Sequence, residues 1–170
     1  MTTDAGKDPL TLVRGASKEL ERDRREAKKD GFEPYDSVWA VTDADRFELS
    51  GAQAFAKRKG IGLVISNPCF EVWLVDHQCV CPERCADTRS CQDYAAKIGV
   101  VESTDHKRGS KSKMKDIVVA SIEGKVHDAL DNAERHNTPQ KCLVRESDPD
   151  NKVGYTVWTD VPKLVYELMR

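Results

Sequence analysis

The sequence predicts an α/β domain with a small, mostly parallel sheet flanked by helices. Two runs, SVWAVT (37–42) and GIGLVIS (60–66), are apolar on both faces, which is typical of strands buried in a parallel sheet. A short helical pattern at 50–59 lies between them and ends at Gly60. Because parallel neighbours need a crossover connection, this β-α-β order favours a parallel pair joined by a right-handed crossover.

The other helices follow from apolar periodicity. An amphipathic pattern from Leu10 to Leu20 predicts a first helix that ends at Gly31, and the apolar residues 69–77 predict a helix or a continuation of the core. A last helix is expected at 160–169, after a loop or hairpin tip between the β-prone runs CLV and YTVW. An apolar stripe predicts one long helix through Val119, Ile122, Val126, Ala129, Leu130 and Ala133.

Length and composition limit the class of protein. The 170 residues suit one domain, 1–170, and we find no internal repeat. The net charge of −2 argues against a protein that coats nucleic acid or membrane nonspecifically. No apolar run reaches the roughly 18–20 residues that cross a bilayer, and the N-terminus lacks a signal-peptide pattern, so we expect a cytoplasmic protein with no membrane partner. Its six cysteines would then be thiols or metal ligands rather than disulfides.

Two carboxylates follow the first predicted strand in VWAVTDADRF. Residues two apart in a strand point to the same side, so Asp43 and Asp45 would project together from the carboxyl edge, where open α/β sheets bind ligands. Hard oxygen ligands at such an edge suit Mg²⁺ or Mn²⁺. The alternative is an Asp-rich turn in which one carboxylate caps the helix that starts near residue 49. Spacing alone leaves both interpretations open.

A cysteine-rich insertion is expected at about 77–95. Zinc takes four soft ligands, and the spacings here do not reproduce the paired C-x₂-C of a zinc finger. The segment is nevertheless poor in large apolar residues, so a structural zinc ion would explain its order; free thiols or a redox pair are the alternatives. Cys69 and Cys142 lie among apolar residues and are expected to be ordinary core cysteines. The candidate zinc ligands are His77, Cys79, Cys81, Cys85 and Cys91.

The densest basic segment is HKRGSKSKMK (106–115). Its side chains would contact phosphates if the acidic edge handles nucleic acid, or would simply be solvated in a loop. No aromatic residue interleaves them, which disfavours a platform for stacking single-stranded bases. His127 and His136 are expected to have surface or capping roles. The candidate phosphate ligands in this segment are Lys107, Arg108, Lys111, Lys113 and Lys115.

The run VWAVTDADRF and the stretch GIGLVISNPCFEVWLVDH resemble the central part of RloB-like proteins, and SNPCFEVWL is the most specific element. The C-terminal TDVPKLVYEL is similar to the closing helix of that family. RloB-like proteins are found near prokaryotic restriction and phage-defence genes and are related to the TOPRIM fold. The resemblance covers about residues 8–77 well and 106–170 loosely, and it does not predict the cysteine-rich insertion.

The resemblance implies a metal site. In TOPRIM enzymes a D-x-D pair at a strand end and a glutamate from an earlier strand hold a divalent ion for phosphoryl transfer, and Asp43 and Asp45 match that pair. The glutamate-bearing strand would precede DPLTLV, where this chain begins, so we expect an incomplete acidic cluster. Glu71 is the nearest candidate to replace the missing acid. Its alternative role is a favourable charge at a helix N-terminus, with Asn67 as the cap and Pro68 at the first helical position; Asn67 could instead orient a ligand.

These observations are consistent with three alternative functions. The first is a Mg²⁺-dependent nuclease of TOPRIM type in a phage-defence or restriction-associated system, in which Arg46 or the basic segment stabilises phosphate charge. The second is a non-catalytic module of such a system, which binds nucleic acid, a protein partner or a second copy that completes an open sheet edge. The third is a zinc-stapled binding domain in which the acidic pair is only a turn.

Overall fold

A computed structural model describes residues 8–102 and 116–170. Within these ranges the chain forms eight α-helices and three short strands, so the predicted α/β class is confirmed. No helix in this part of the chain combines the length and apolarity required to traverse a bilayer. The elements are α1 (Pro9–Asp30), β1 (Trp39–Asp43), α2 (Ser50–Lys59), β2 (Gly62–Asn67), α3 (Glu71–Asp76), α4 (Thr88–Lys97), α5 (Val119–Ile122), α6 (Val126–His136), α7 (Pro139–Ser147), a 3₁₀ turn (Lys152–Tyr155), β3 (Trp158–Thr159) and α8 (Val161–Leu168).

The sheet has the order β1-β2-β3 and is mixed. β1 and β2 are parallel, as predicted, with Trp39 opposite Gly62 and Asp43 opposite Ser66. β3 is antiparallel to β2, so the expectation of a mostly parallel sheet is only half right. The β-prone run YTVW indicated a strand here, but only its last residue, Trp158, lies in β3, because the 3₁₀ turn extends to Tyr155. Two residues are too few to show the direction of the strand in the sequence.

Helices cover both faces of the β1–β2 pair. α1 and α2 pack on the face that carries Ala40 and Leu63. The other face carries Trp39 and Val64 and meets the larger core built from α3, α4 and α6. At the start of α1, Asp8 caps the helix by accepting a hydrogen bond from the Thr11 amide. The helix ends as predicted at Gly31, which adopts a left-handed conformation.

Two predictions after residue 116 are wrong. The expected long helix is divided into α5 and α6, because Gly124 adopts a φ of 75° that an α-helix does not allow. The run CLV is helical rather than extended and belongs to α7. This helix is set by its start, where Thr138 accepts a hydrogen bond from the Lys141 amide and Pro139 occupies the first turn. The capping residues at the start of α7 therefore outweigh the β-propensity of the run CLV.

A buried carboxylate joins β2 to the C-terminal helices. Asp160, fully buried, accepts hydrogen bonds from the Ile65 amide of β2 at 3.1 Å and from the Trp158 indole at 3.0 Å. Arg145 of α7 donates to the same carboxylate at 2.7 Å, and the Lys163 ammonium lies 3.1 Å away. Breaking a buried pair of this kind typically costs about 3–5 kcal/mol, because the remaining charge stays unpaired.

Gly62 gives a test of the β1–β2 packing. The indole of Trp39 lies directly against it, in the space that a Cβ would occupy. Gly62→Ala should therefore lower the free energy of unfolding by about 1–3 kcal/mol, the usual cost of overpacking. The matched control is Gly15→Ala, on an open face of α1, which should raise it by about 0.5–1 kcal/mol. Urea unfolding of both variants measures these two changes in the free energy of unfolding. Equal changes in the two variants would contradict the packing of Trp39 against Gly62.

Candidate functional site

The carboxyl ends of β1 and β2 are joined beyond the last paired residues. The Ala44 amide donates to the Ser66 carbonyl at 2.8 Å, and the Asp45 amide donates to the Pro68 carbonyl at 3.3 Å. The Asp43 carboxylate accepts a hydrogen bond from the Phe70 amide at 2.8 Å. These contacts bring the segment after β1 against the segment that leads into α3. The predicted acidic pair and Glu71 therefore face the same sheet edge.

The three carboxylates of this edge interact through their charges. The pKa of Asp43 is raised to about 6, mainly by burial and then by the nearby carboxylates of Glu71 and Asp45, while the hydrogen bond from Phe70 opposes the rise. The three are looser than a preformed cage, because no three of their oxygens lie within 4.8 Å of one another in the described residues. The edge is thus an acidic site whose charges repel.

The capping role proposed as the alternative for the acidic pair belongs to a different residue. Asp150, which follows α7, accepts hydrogen bonds from the Leu49 amide at 2.5 Å and the Ser50 amide at 3.3 Å, at the start of α2. Neither Asp43 nor Asp45 caps that helix. Asp45 instead adopts a φ of 27° in the turn that follows β1. The acidic pair is therefore not explained by capping of α2.

The prediction that Asn67 caps the helix after β2 is wrong. Asn67 is the last residue of β2, and its side-chain amide donates to the Lys152 carbonyl at 2.8 Å. α3 begins three residues after Pro68 and has Phe70 at its N-cap position, without a side-chain cap. Glu71 does lie in the first turn of α3, as its alternative interpretation requires, and it is also close enough to raise the pKa of Asp43.

Lys152 is a cation at this edge that the sequence did not single out. Its ammonium donates to the Asp45 carbonyl at 2.7 Å. Desolvation lowers the pKa of Lys152, against the opposing charges of Asp150, Asp45 and Glu48. In the sequence it is one polar residue among many in DPDNKVG, and only the fold brings that loop to the end of β1.

Of the other predicted phosphate ligands, only Arg46 lies in the part of the chain that the structure describes. Arg46 is exposed, and its guanidinium carbon lies 6.0 Å from the centre of the Phe47 ring. The basic segment falls outside the described residues, together with Lys107, Arg108, Lys111, Lys113 and Lys115.

The cysteine-rich insertion contains a buried thiol cluster. The sulfurs of Cys81, Cys85 and Cys91 all lie within 4.8 Å of one another, and this group could hold a metal such as zinc. Burial raises the pKa of Cys85. The cluster combines a loop with the first turn of α4, where Asp87 caps the helix by accepting from the Ser90 amide at 3.0 Å.

Two of the predicted zinc ligands lie outside this group. His77 places Nδ1 2.9 Å from the Trp73 carbonyl and lines a polar surface pocket with Gln78 and Lys125. The Cys79 sulfur lies 3.5 Å from the Tyr94 hydroxyl. His77, four positions before Cys81, and Cys79, two positions before it, thus have other partners.

The two cysteines expected to be ordinary core residues differ from each other. Cys142 is half-buried on α7, and its thiol donates to Glu146 at 3.6 Å. Cys69 is fully buried, and its thiol is hydrogen-bonded to Cys91; this bond and burial raise the pKa of Cys69. Cys69 is therefore a core cysteine, as predicted, and it also contacts Cys91, although its sulfur lies outside the group of three within 4.8 Å of one another.

Comparison with known proteins decides the family. The model of the family described as RloB-like protein matches residues 1–168. The chain belongs to the RloB-like family. No curated protein and no solved structure matches it. The family assignment predicted from SNPCFEVWL and its neighbours is therefore confirmed, whereas the TOPRIM relation and the absent first strand remain predictions.

The raised pKa of Asp43 makes the stability of this RloB-like chain depend on pH. A carboxyl group with a pKa of 3.8 when unfolded and about 6 when folded binds more protons in the folded state between these values. The free energy of unfolding should therefore fall as the pH rises through this window, by at most about 3 kcal/mol. Asp43→Asn, which keeps an acceptor for the Phe70 amide, should be more stable than the wild type at pH 8, and the difference should vanish toward pH 4.

Urea unfolding at both pH values checks this. The control is Asp93→Asn on the exposed face of α4, whose carboxylate makes only a 3.9 Å contact with Arg89 and should change stability little at either pH. An Asp43→Asn protein that is less stable than the wild type at pH 8 would show that the carboxylate is not destabilised by its surroundings.

Proposed function

We propose that this RloB-like chain is a divalent-metal-dependent nuclease or related phosphoryl-transfer domain of a prokaryotic phage-defence or restriction-associated system. The observation that supports this most is the proximity of Asp45 and Glu71 to Asp43, whose pKa is raised by burial and then by these two carboxylates. Burying a carboxylate beside two others is unfavourable for folding, and such arrangements are concentrated at functional sites.

The residues at this edge fit a hard divalent ion. Mg²⁺ and Mn²⁺ need only one or two protein carboxylates when water and substrate phosphate supply the other oxygens. Asp43 and Asp45 would hold the ion, and Glu71 would be the third carboxylate. A bound divalent ion supplies polarisation of the phosphodiester and a lower pKa for an attacking water.

The residues of the chain then have separate tasks. The Phe70 amide fixes the orientation of the Asp43 carboxylate through its 2.8 Å hydrogen bond. Lys152, held against the Asp45 carbonyl, places a positive charge at the edge where a phosphate would approach. Arg46, exposed after the same strand, is a second cation for phosphate contact.

Cleavage assays on RNA and on single- and double-stranded DNA, with Mg²⁺ or Mn²⁺, test this function. Asp43→Asn and Asp45→Asn should each lower the rate at least about 100-fold, since the ligands of a catalytic ion are worth several kcal/mol. Lys152→Met should lower it about tenfold, because a screened charge near phosphate is worth about 1.4 kcal/mol. Asp93→Asn should cleave like the wild type.

Because Asp43→Asn is expected to be more stable than the wild type at pH 8, a loss of its activity there cannot come from unfolding. Cleavage that survives in the double variant Asp43→Asn/Asp45→Asn would refute the nuclease proposal.

A second candidate is a non-catalytic binding module of the same type of system. β1 stands at one end of the sheet, and among the described residues no strand pairs with its outer edge. Val41 of this strand is 43% exposed. An open edge of this kind can accept a strand from a protein partner or a second copy. Nucleic-acid binding or dimerisation that is unchanged in Asp43→Asn, without cleavage by any form, would favour this candidate.

A further inference from the structure

Four buried thiols from three separate segments meet beside α3. Cys69 lies between β2 and α3, Cys81 and Cys85 lie in the irregular loop after α3, and Cys91 lies in α4. Their side chains are between 0% and 2% exposed, and all four are free thiols. The Cys91 thiol is within hydrogen-bonding reach of both Cys69 and Cys81, so the four form one connected set.

The spacing of the sulfurs suits a single ion. Four sulfurs at about 2.3 Å from a tetrahedral zinc lie about 3.8 Å from one another. The sulfurs of Cys81, Cys85 and Cys91 already lie within 4.8 Å of one another, so a small contraction would bring these three to that geometry. Cys69 lies outside this group and would have to approach Cys81 and Cys85 from its contact with Cys91. An iron–sulfur cubane would need them farther apart, because each cysteine binds a different iron.

The loop between α3 and α4 has little else to hold it. Residues 78–87 contain no helix or strand, and Val80 is their only large aliphatic side chain. One end is fixed by the buried Asp76, which accepts from the Cys81 amide at 3.1 Å and contacts Nε2 of His136 at 2.9 Å. A metal ion supplies the folding free energy that apolar burial does not supply in such a segment.

We propose that Cys69, Cys81, Cys85 and Cys91 form a structural Cys₄ zinc centre, with Cys69 as the ligand that the insertion itself lacks. All four positions are closed to solvent, as in structural rather than catalytic zinc sites. His77 and Cys79 are not ligands, since both have other partners.

This centre would also fix the candidate acidic edge. Cys69 directly precedes Phe70, whose amide orients Asp43, and Glu71 follows. A zinc–sulfur bond at Cys69 would therefore hold the segment that connects β2 to α3, which also carries the amide that binds Asp43. The zinc proposal does not depend on nuclease activity, because its evidence is the thiol geometry alone.

X-ray absorption at the zinc edge of the full wild-type chain, purified under reducing conditions, tests the ligand set. We expect about one zinc per chain and four sulfur ligands at about 2.3 Å. Three sulfurs with a nitrogen or oxygen, iron in place of zinc, a disulfide, or a metal-free protein would each overturn the proposal.

Variants identify the fourth ligand. Cys69→Ser should lower zinc affinity at least about tenfold in competition with a chelator, because loss of one thiolate weakens the site. The matched controls are Cys79→Ser, whose sulfur faces Tyr94, and Cys142→Ser on α7, and both should keep wild-type affinity. Unchanged affinity in Cys69→Ser, or a loss in Cys79→Ser instead, would contradict the assignment. If Cys69→Ser fails to fold, the sulfur count of the wild type still decides.

Discussion

The buried carboxylate of Asp160 is the constraint on which the architecture depends. It binds the Ile65 amide in the middle strand and the guanidinium of Arg145 in α7, and so joins the early sheet to the last third of the chain. A fully buried charge is tolerated only when its partners are complete, so these elements must assemble together. The same assembly brings the loop after α7 to the start of α2 and to the end of β1. Asp150 and Lys152 reach the acidic edge by this route.

The segment from Asn67 to Glu71 is the point where the two candidate sites meet. Its backbone amide at Phe70 binds Asp43, and its thiol at Cys69 joins the buried cluster of the insertion. The first contact belongs to the proposed site with hard oxygen ligands and the second to the proposed site with soft sulfur ligands, so one short connection would serve two metals of different chemistry. Its conformation therefore matters for the acidic edge even though Cys69 itself is remote from solvent.

Much of the fold could be predicted because it is local. The two-faced apolar runs gave β1 and β2, glycines 31 and 60 marked helix ends, and the order β-α-β gave the parallel pair. The position of Asp43 at the end of a strand was also predictable, but strand geometry does not persist to Asp45, which lies in a turn with a φ of 27°. What failed depends on contacts that spacing does not encode. The cap of α2 comes from Asp150, a hundred residues away, and Lys152 and Cys69 reach their sites only through tertiary packing. The β-prone run YTVW only overlaps β3 at Trp158 and does not show its antiparallel direction, and α7 was hidden by the β-prone run CLV.

The central claim is that the ends of β1 and β2 form a divalent-cation site, and Mn²⁺ binding followed by electron paramagnetic resonance tests it most directly. The signal of free Mn²⁺ should fall on titration with the full chain, saturate at about one ion per chain, and recover when Mg²⁺ competes, as expected for carboxylate ligands. Asp43→Asn should remove this binding, whereas Asp93→Asn should not. Absence of saturable Mn²⁺ binding by the wild type, or the same binding by Asp43→Asn, would contradict the account.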